Sequence, residues 1–526
     1  MRGSCRLRSR ALICACGGAL ACGTAAFAQT AEEFGLHEVM TGADLHPGPV
    51  PNLPTSDPFF MPRGFPSTVQ VNVGSNGQNI VGDAANEPSM ASQAKFPNKI
   101  AIGWRQFDTI SSSFRQAGYA WSDDWGRSWH RGTLNPGVFR SDPVLRADAD
   151  GTIFYNSLTS DFECFYFKST DGGQTWSAPV FAWGGDKAWF AIDKSNTSRR
   201  GAMIQAWNCC AFNRSFNGAQ TWSAPAGDLG ILFGTLDIGP SGEVYVIGQD
   251  GTVRITKSTN ALDPNVTPPT FSPTQQIFIS AGANNRPPNP GGLIGQHQVL
   301  VEKNVAERMG WVYALSTINS TGSATDIGFR RSTDGGATWG AITLINGGIV
   351  NANSWQWFGT MGLAPNGRID VVYNDTSSTL NPVLSRTMYV FSNDAGVTWS
   401  APESLGPTWN SAVGWPQQNK IGDYYDIESD NNGFNLIYSA TYNGEQDLYF
   451  VRHGARFCDS IDFNNDGSLF DPQDIDALLS VYGEGPCVPA TATCYDIDFN
   501  NDGSVFDPAD IDGFLSVYGE GPCNAG

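Results

Sequence analysis

Positive charge is scarce in this chain of 526 residues, because 31 lysines and arginines face 51 aspartates and glutamates, for a net charge of −20. A surface this acidic repels phosphate backbones and anionic lipid, so we expect no nucleic-acid partner. Long apolar runs are also missing. Beyond the first 28 residues, no stretch approaches the roughly 18 uninterrupted apolar residues that a membrane span requires, so we expect no membrane span.

Several catalytic signatures are absent as well. The chain has no G-x-S-x-G elbow, no H-E-x-x-H pair and no phosphate-binding G-x-x-x-x-G-K. Its histidines are too scattered to indicate a metal site, at His37, His46, His130, His297 and His453. Serine-hydrolase, zinc-protease and nucleotide-binding chemistries therefore find little support.

The first 28 residues have the pattern of a secretory signal peptide. Four arginines precede an apolar run that begins at Ala11, and Ala26-Phe27-Ala28 forms a small-x-small cleavage site. A lipoprotein signal ending at Cys16 or Cys22 is the alternative, although neither cysteine completes a clean lipobox. We therefore expect a secreted or cell-surface protein. Its residues 29–66, rich in proline, are expected to form a linker or an extended wrap.

Polar segments of one type recur along the rest of the chain. Four read Ser-x-Asp-x-Gly-x-Thr/Ser-Trp, and a fifth has Asn217 for the Asp and Ala219 for the Gly; they begin at Ser122, Ser169, Ser215, Ser332 and Ser392. Gly permits the positive φ of a tight hairpin, and Ser and Asp oxygens can accept hydrogen bonds from the turn's free N–H groups. The Trp suits burial between packed sheets. The pattern predicts a repeat built on hairpins.

The segments between these boxes are rich in β-branched and aromatic residues and alternate with Gly, Asn and Asp turns, which indicates an all-β class. One long gap between the box tryptophans is filled by a unit without a box, from Leu236. Seven units result, and they begin near Glu87, Asp142, Lys187, Thr235, His297, Phe358 and Tyr424.

The last unit has three strand-like segments and then stops. An open sheet edge invites aggregation, and ring-shaped repeat folds commonly close by borrowing a strand from the other end of the chain. Residues 67–73 alternate like a strand and precede the first unit. We predict that they complete the last one.

The boxes resemble the Asp-box, or BNR repeat, of the sialidase-like β-propellers, and the resemblance covers residues 67–454. It implies four-stranded blades, with each box between the third and fourth strands, on the face opposite the active site. The unit count favours seven blades. The alternative is six blades, the number in true sialidases, plus an extra sheet.

The resemblance places any site on the loops between strands two and three and on the loops between units. The catalytic candidates there are Arg105, Asp108, Asp161, Tyr373, Asp375, Asp423 and Tyr424. The starts of the units add Glu87, Asp142, Asp186, Lys187, Trp355, Trp357 and Tyr425. Carboxylates beside aromatic rings suit sugar recognition, and two carboxylates at a suitable separation are enough for glycoside hydrolysis.

The chain departs from the sialidases at one motif. Their first catalytic arginine usually sits in an Arg-Ile-Pro motif, whereas the matching region here reads Asn-Glu-Pro-Ser-Met-Ala-Ser, and Arg-Ile-Pro occurs nowhere else in the chain. A sialidase active site is therefore not carried over, and catalysis is left open.

Residues 455–526 hold two near-copies of a segment in which D-F-N-N-D-G precedes an amphipathic helix. Hard oxygen ligands at positions one, three and five of a loop, followed by a Gly at its sharp turn, indicate Ca²⁺. The acid expected at position twelve of the loop falls one residue later, as Asp474 or Asp510, so we expect a loop that is one residue longer. Asp471 and Asp507 are the alternative ligands. The predicted ligands of two ions are Asp462, Asn464, Asp466, Ser468, Asp474, Asp498, Asn500, Asp502, Ser504 and Asp510.

This tandem resembles a type I dockerin, a pair of EF-hand-like loop-helix repeats. The resemblance implies that the helices bind a cohesin-like or other cell-surface partner. An Asx-rich turn without metal is the alternative.

Cysteines after the signal number seven, and an exported chain favours disulfides. Cys164 and the pair Cys209-Cys210 fall in corresponding parts of consecutive units, so we expect one bridge between neighbouring blades. The other four flank the two C-terminal copies, at Cys458, Cys487, Cys494 and Cys523.

Two functions are consistent with these patterns. One is an exported sialidase-like propeller that acts on or binds glycans or glycoproteins and is tethered by a calcium module. The other is a noncatalytic propeller for protein or glycan binding, with a structural calcium module.

Overall fold

The computed structural model describes most of the repeat region and parts of the C-terminal tandem. The described residues are 45–48, 52–93, 95–208, 211–227, 229–279, 286–319, 323–346, 353–454, 463–464, 472–483, 485–489, 494, 499 and 508–518. They divide into two compact units, one within Met1–Asp430 and Asn435–Val451 and the other within Asn431–Phe434 and Arg452–Gly526. The predicted signal peptide lies outside the described residues.

Seven antiparallel sheets of the first unit are the blades of a β-propeller. Strands β1 (Thr55–Ser56), β2 (Thr68–Gln70) and β3 (Asn79–Ile80) precede the first of them. Blade one comprises β4 (Ala84–Ser92), β5 (Ile100–Phe107), β6 (Gln116–Ser122) and β7 (His130–Leu134). Blade two comprises β8 (Ser141–Ala147), β9 (Ile153–Leu158), β10 (Cys164–Ser169) and β11 (Val180–Phe181). Blade three comprises β12 (Trp189–Ile192), β13 (Met203–Ala206) and β14 (Phe212–Ser215), with a single bridge from Phe212 to Ala226 beyond them.

The remaining blades follow the same order. Blade four comprises β15 (Leu236–Ile238), β16 (Val244–Asp250), β17 (Thr252–Ser258) and β18 (Gln275–Phe278). Blade five comprises β19 (Gln298–Val301), β20 (Val312–Ile318), β21 (Asp326–Ser332) and β22 (Thr343–Leu344), with a 3₁₀ turn at Ala306–Arg308. Blade six comprises β23 (Gln356–Leu363), β24 (Ile369–Asp375), β25 (Leu384–Ser392), β26 (Glu403–Ser404) and β27 (Trp409–Asn410), which also pairs with β25. Blade seven contains β28 (Asp426–Asp430), β29 (Gly433–Ala440) and β30 (Asp447–Gly454).

The ring closes as predicted, with an N-terminal strand in the last blade. Strand β2 pairs antiparallel with β30, opposing Val69 to Phe450. The Val71 N–H then donates to Leu448 O at 2.9 Å, and Asn72 Nδ2 donates to Asp447 Oδ1 at 2.6 Å. The seven-bladed prediction is therefore confirmed over the six-bladed alternative.

The described part of the predicted linker or wrap lies against this closing blade. Strand β1 pairs with β3, and the Phe59 ring stacks on Tyr442 with centroids 4.7 Å apart. Asn79 Nδ2 donates to Glu445 Oε2 at 2.9 Å. Residues 55–59 of this segment thus contact β3 and blade seven.

The box turns are held by their own side chains. In the box from Ser169, Ser169 Oγ donates to Asp171 Oδ1 at 2.7 Å, and the Gly173 N–H donates to Ser169 Oγ at 2.8 Å. The Thr175 N–H donates to Asp171 Oδ1 at 3.0 Å. The same three bonds form in the boxes from Ser122, Ser332 and Ser392. The Asp carboxylate thereby accepts a hydrogen bond from a backbone N–H of its own turn, as the motif predicts.

The box tryptophans pack between blades. Trp129 meets Phe450 of blade seven with centroids 5.2 Å apart, and Trp222 meets Tyr166 of blade two at 4.5 Å. Trp399 meets Phe329 of blade five at 5.1 Å. Each ring fills the joint with the preceding blade, so the boxes belong to the scaffold.

Two expectations need correction. Among the described residues, blade three has three strands instead of the expected four, and only the bridge from Phe212 to Ala226 stands where a fourth strand would pair. Cys164 is buried and forms no disulfide, because its thiol packs against the backbone of Gly184 and Gly185. Cys209 and Cys210 lie outside the described residues.

The described residues of the second unit include two helices, α1 (Pro472–Tyr482) and α2 (Pro508–Tyr518). Its apolar core is formed by Phe463, Ala477, Leu478, Phe499 and Phe514. A disulfide joins Cys487 to Cys494, so it links the end of the first tandem copy to the start of the second. Within the described part of the chain, no helix is long and apolar enough to cross a bilayer.

Candidate functional site

The innermost strands of several blades begin with an unusual backbone conformation. Glu87, Asp142 and Lys187 have φ values of 51°, 50° and 56°, in the left-handed region that non-glycine residues rarely adopt. Strand pairing slips at this point in blades one and two. Such strain persists where surrounding contacts hold it, and it is common at functional sites.

The side chains at these positions meet across the ring. Lys187 Nζ lies 3.2 Å from Asp142 Oδ2, 3.2 Å from Asp186 Oδ1 and 2.9 Å from Asp423 Oδ2. Lys187 belongs to blade three and Asp423 to the start of blade seven. These blades are not neighbours in the ring, so the contact spans the propeller axis.

Two further cations complete the group. Lys420 Nζ lies 2.9 Å from Asp423 Oδ2 and 3.4 Å from Glu87 Oε1. Arg105 Nε lies 3.4 Å from Glu87 Oε2. We call this set the axial cluster: four carboxyl groups and three cations, from Glu87, Arg105, Asp142, Asp186, Lys187, Lys420 and Asp423.

The environment shifts the carboxyl pKa values in opposite directions. Burial raises the pKa of Glu87 to about 8, against the attraction of Arg105 and Lys420. Burial likewise raises the pKa of Asp186 to about 7. Burial also acts on Asp423, but there Lys187 and Lys420 prevail and hold its pKa well below the usual value. Acid/base catalysis uses pairs of carboxyl groups whose pKa values are shifted in opposite directions.

A cap of two loops closes the axial cluster. The cap consists of residues 286–297, before blade five, and residues 411–423, before blade seven. Asn289 Nδ2 donates to Gly422 O at 2.7 Å, and Asn289 Oδ1 accepts from the Ile421 N–H at 2.9 Å. The Leu293 N–H donates to Asp423 Oδ1 at 2.8 Å. The cap leaves Glu87 and Arg105 with 0% exposure.

One small cavity adjoins the axial cluster. A cavity of about 20 Å³ lies beside Lys187 and is lined by Asn208, Phe233 and Thr235 among others. That is room for a single water molecule. A ligand would have to displace residues 286–297 of the cap to reach the cluster, because the other cap loop carries Lys420 and Asp423 of the cluster itself.

The structure brings together only part of the predicted catalytic set. Arg105 and Asp423 belong to the axial cluster, and Tyr424 lies next to it, where its hydroxyl donates to Pro143 O at 2.9 Å. Asp108 accepts from the side-chain amides of Gln106 and Gln116, each at 2.7 Å. It therefore orders its own loop.

The other three candidates lie apart from the axial cluster. Asp161 is exposed. Tyr373 is buried in the core between blades five and six. Asp375 accepts from Gln356 Nε2 at 2.5 Å and from the Ser377 hydroxyl. The catalytic role of every candidate stays a prediction.

Lys420 and Asn289 were not among the sequence candidates. Lys420 is 333 positions from the Glu87 that it contacts, and Asn289 is 133 positions from Gly422. No local pattern marks either residue. Their place follows only from closure of the ring and of the cap.

Most of the predicted calcium ligands lie outside the described residues. Asn464, Asp474 and Asp510 are described, and all three are fully buried. Asp474 and Asp510 lie in the first turns of α1 and α2. Among the described residues alone, no group of three or more His, Cys, Asp or Glu side chains is arranged to hold a metal ion.

Comparison with known proteins gives structural likenesses only. No protein family profile and no curated protein matches the chain. YCF48 bound to a D1 peptide is 12% identical with a TM-score of 0.40, and the match covers 77% of this chain and 100% of that one. A Hadza microbial sialidase is 13% identical with a TM-score of 0.36, over 70% of this chain and 66% of that one. The GH74 xyloglucanase from Xanthomonas campestris is 14% identical with a TM-score of 0.40, over 67% and 50%. These likenesses decide nothing about the activity of this chain.

Proposed function

We propose that this chain is an exported propeller that acts on or binds glycans at the face opposite its Asp boxes, with the axial cluster as its reaction centre. One observation carries the proposal: the propeller brings carboxyl groups of opposite pKa shift together at its axis. Hydrolysis of a glycoside needs one protonated and one ionised carboxyl group about 5–9.5 Å apart. Glu87 and Asp423 share a contact with Lys420 Nζ and interact by a side-chain hydrogen bond, so they would have to separate to admit a glycosidic bond.

The roles follow from the two environments. Glu87, whose pKa is raised to about 8, holds a proton at neutral pH that it can give to a glycosidic oxygen. Asp423 stays ionised beside Lys187 and Lys420, so it can act as the nucleophile or as the base that activates water. Lys187 and Lys420 keep that carboxylate charged inside the fold.

A noncatalytic glycan- or protein-binding propeller is the second candidate. The cap favours it, because the cap seals Glu87 and Arg105 completely from solvent. In that case the axial cluster would fasten the blades at the centre, and a ligand would bind on top of the closed cap.

A fluorogenic-glycoside screen and a glycan array on the purified chain separate the two candidates. For a hydrolase we expect turnover of at least one glycoside, lost at least 100-fold in Glu87→Gln. Glu163→Gln is the matched control, because Glu163 is exposed on a loop of the same face. Glycan binding without turnover of any glycoside would favour the noncatalytic candidate. If the chain neither binds a glycan nor turns over a glycoside, the glycan proposal is wrong.

We further propose that the C-terminal unit binds two Ca²⁺ ions and attaches the propeller to a cohesin-like or cell-surface partner. The spacing of hard oxygen ligands in both near-copies supports this. Asp474 and Asp510 are fully buried in the first turns of the two helices. The bound ions would organise both loops. The Cys487–Cys494 disulfide is consistent with an oxidising, extracellular location.

Calorimetric titration of the chelator-treated full chain with CaCl₂ tests the calcium proposal. We expect two equivalents of uptake, reduced to one in Asp474→Ala and in Asp510→Ala. Asp476→Ala is the control, since Asp476 lies on α1 outside the predicted ligand set. No uptake by the parent chain would contradict the proposal.

A further inference from the structure

The box of blade three holds an amide where the other boxes hold a carboxylate. Asn217 stands at the Asp position, and Gly218 follows it. Ser215 Oγ donates to Asn217 Oδ1 at 3.1 Å, and the Thr221 N–H donates to the same oxygen at 3.0 Å. The equivalent two donors bind the Asp carboxylate in the box of blade two. The turn thus offers a carboxylate site to an amide.

One contact of this turn runs in the opposite direction from its counterpart. In the box of blade two, the Thr175 hydroxyl donates to Asp171 Oδ2. In the box of blade three, Asn217 Nδ2 donates to Thr221 Oγ1 at 2.8 Å, because an amide nitrogen cannot accept. The Thr221 hydroxyl therefore keeps a proton that a carboxylate at position 217 would bind.

An Asn followed by Gly can lose its side-chain amide, because the backbone nitrogen of the Gly can attack Asn Cγ and Gly has no side chain to hinder the attack. The chain contains six such pairs, at Asn76, Asn217, Asn346, Asn366, Asn432 and Asn443. In three of them the glycine N–H donates to a carbonyl of its own turn, from Gly77 at 2.8 Å, Gly367 at 2.8 Å and Gly444 at 3.0 Å. Gly433 lies in strand β29, and Gly347 lies outside the described residues.

Gly218 differs from these three glycines. Its N–H has no hydrogen-bond acceptor within the described part of the chain. The space beside it is open, since a Cβ added at Gly218 would meet no atom within 4 Å, and Asn217 is exposed. Hydroxide from solvent can therefore reach the Gly218 N–H, and the nitrogen is not held by a turn carbonyl.

The contacts of Asn217 favour the attack chemically. Negative charge develops on Oδ1 as the Gly218 nitrogen approaches Cγ, and the donors from Ser215 and Thr221 already point at that oxygen. Donors placed where charge develops stabilise a tetrahedral intermediate. The Thr221 hydroxyl, 2.8 Å from Nδ2, can also relay a proton to the departing nitrogen.

We propose that Asn217 is a site of spontaneous deamidation, which converts the box of blade three into an Asp box. The bond from Gly218 N to Asn217 Cγ forms, the Cγ–Nδ2 bond breaks, and Nδ2 leaves as ammonia with the proton of the Gly218 N–H. Water then opens the cyclic imide at Cγ. Its oxygen joins Cγ, the N–Cγ bond breaks, and a proton returns to Gly218 N. The net reaction consumes one water and releases one ammonia.

The turn also directs how the imide opens. Ser215 and Thr221 polarise the carbonyl at Cγ, and attack by water there gives an aspartate. Attack at the main-chain carbonyl would give isoaspartate, which adds a methylene to the backbone between Ser215 and Ala219. The Ala219 N–H donates to Ser215 Oγ at 3.1 Å, so a longer backbone would disturb the turn. An aspartate would keep both donors and gain the Thr221 hydroxyl.

Incubation of the folded full chain at mildly alkaline pH, followed by peptide mapping with mass spectrometry, tests the proposal. We expect deamidation at Asn217 to be at least about tenfold faster than at other pairs in the same sample, with aspartate as the major product. The matched internal controls are Asn76, Asn366 and Asn443. In urea the contacts of the turn are lost, so all four pairs should react at similar rates and give mainly isoaspartate.

Two variants test the role of the donors. Ser215→Ala removes one donor to Oδ1 and should slow deamidation at Asn217 severalfold. Thr221→Val is the milder second variant, because Thr221 is exposed and its N–H is kept, and it should also slow the reaction. Melting temperatures establish that both variants are folded.

Three results would overturn the proposal. The first is an equal or slower rate at Asn217 than at the control pairs of the folded chain. The second is isoaspartate as the major folded-state product, since the box would then be broken instead of completed. The third is faster deamidation in both folded variants, which would show that the contacts restrain the amide instead of activating it.

Discussion

Lys187 Nζ lies 2.9 Å from Asp423 Oδ2, and the two residues belong to blades that are separated by the propeller axis. Neither side chain is more than 8% exposed. Their ion pair therefore ties opposite sides of the ring together in a region shielded from solvent.

Replacing this lysine should destabilise the propeller strongly. Lys187→Met leaves Asp142 and Asp423 buried with less compensating charge, and losing one partner of a buried ion pair costs about 3–5 kcal/mol. Urea unfolding followed by Trp fluorescence measures the change. Lys168→Met, at an exposed lysine of β10, is the control and should stay within about 0.5 kcal/mol of the parent chain. Equal effects of the two substitutions would contradict a structural role for the axial pair.

Stability should fall as the pH rises from about 5 to 8.5. The pKa of Glu87 is raised in the folded state to about 8 from a usual value near 4.5. Its contribution is therefore complete below pH 4.5 and is lost as the pH rises from there through 8, on the order of 5 kcal/mol for a shift of this size. Asp423 acts in the opposite sense, because its lowered pKa makes its contribution disappear only in acid.

The variant Glu87→Gln isolates this effect. An amide imitates the protonated acid and does not titrate, so we expect a flatter stability profile from pH 5 to 8.5 than in the parent chain. Chemical denaturation at several pH values gives both profiles. If the stability of Glu87→Gln falls with rising pH as steeply as that of the parent chain, Glu87 is not the titrating group.

The cap should loosen when its central amide is removed. Asn289→Ala removes the acceptor of the Ile421 N–H and the donor to Gly422 O, and a lost buried hydrogen bond costs about 1–3 kcal/mol. We expect hydrogen exchange in residues 411–423 to accelerate about tenfold or more, as mass spectrometry of that segment would show. Exchange in β16 should stay unchanged, and acceleration everywhere would indicate global unfolding instead.

Closure of the ring should depend on the backbone of the N-terminal strand. Val71→Pro removes the N–H that donates to Leu448 O, so β2 should detach and leave β30 as an open edge. Light scattering should then show aggregation at concentrations where the parent chain is monodisperse. Val71→Ala keeps the N–H, and it should lose packing stability without aggregating. Aggregation of both variants would trace the effect to packing.

The scaffold could be predicted from the sequence because its signals are local. Each box contains its turn glycine, its Ser and Asp acceptors and its Trp within eight residues, and the spacing of the boxes revealed the blade that lacks one. The missing fourth strand of blade seven then pointed to residues 67–73. Pattern and spacing were sufficient for this part of the fold.

The candidate site could be predicted only in part, because its contacts are distant in the chain. Glu87, Asp142 and Lys187 were noticed as unit starts, but nothing local shows that their charges meet. Tyr373 lies in β24, and the alternation of a strand directs its side chain into the core between blades. A one-residue difference in the predicted strand end decides whether such a residue faces a loop or the core.

The pairing of β2 with β30 also constrains how the protein is made. Asn72 and its partner Asp447 are 375 residues apart, so translation delivers the closing strand early and its acceptor near the end of the propeller. Until then β2 lacks its partner β30, and the ring cannot be completed blade by blade during synthesis. The final step of assembly is the joining of the oldest part of the propeller to the newest. A chain truncated anywhere before blade seven should therefore leave β2 without a partner strand and present it to chaperones and proteases.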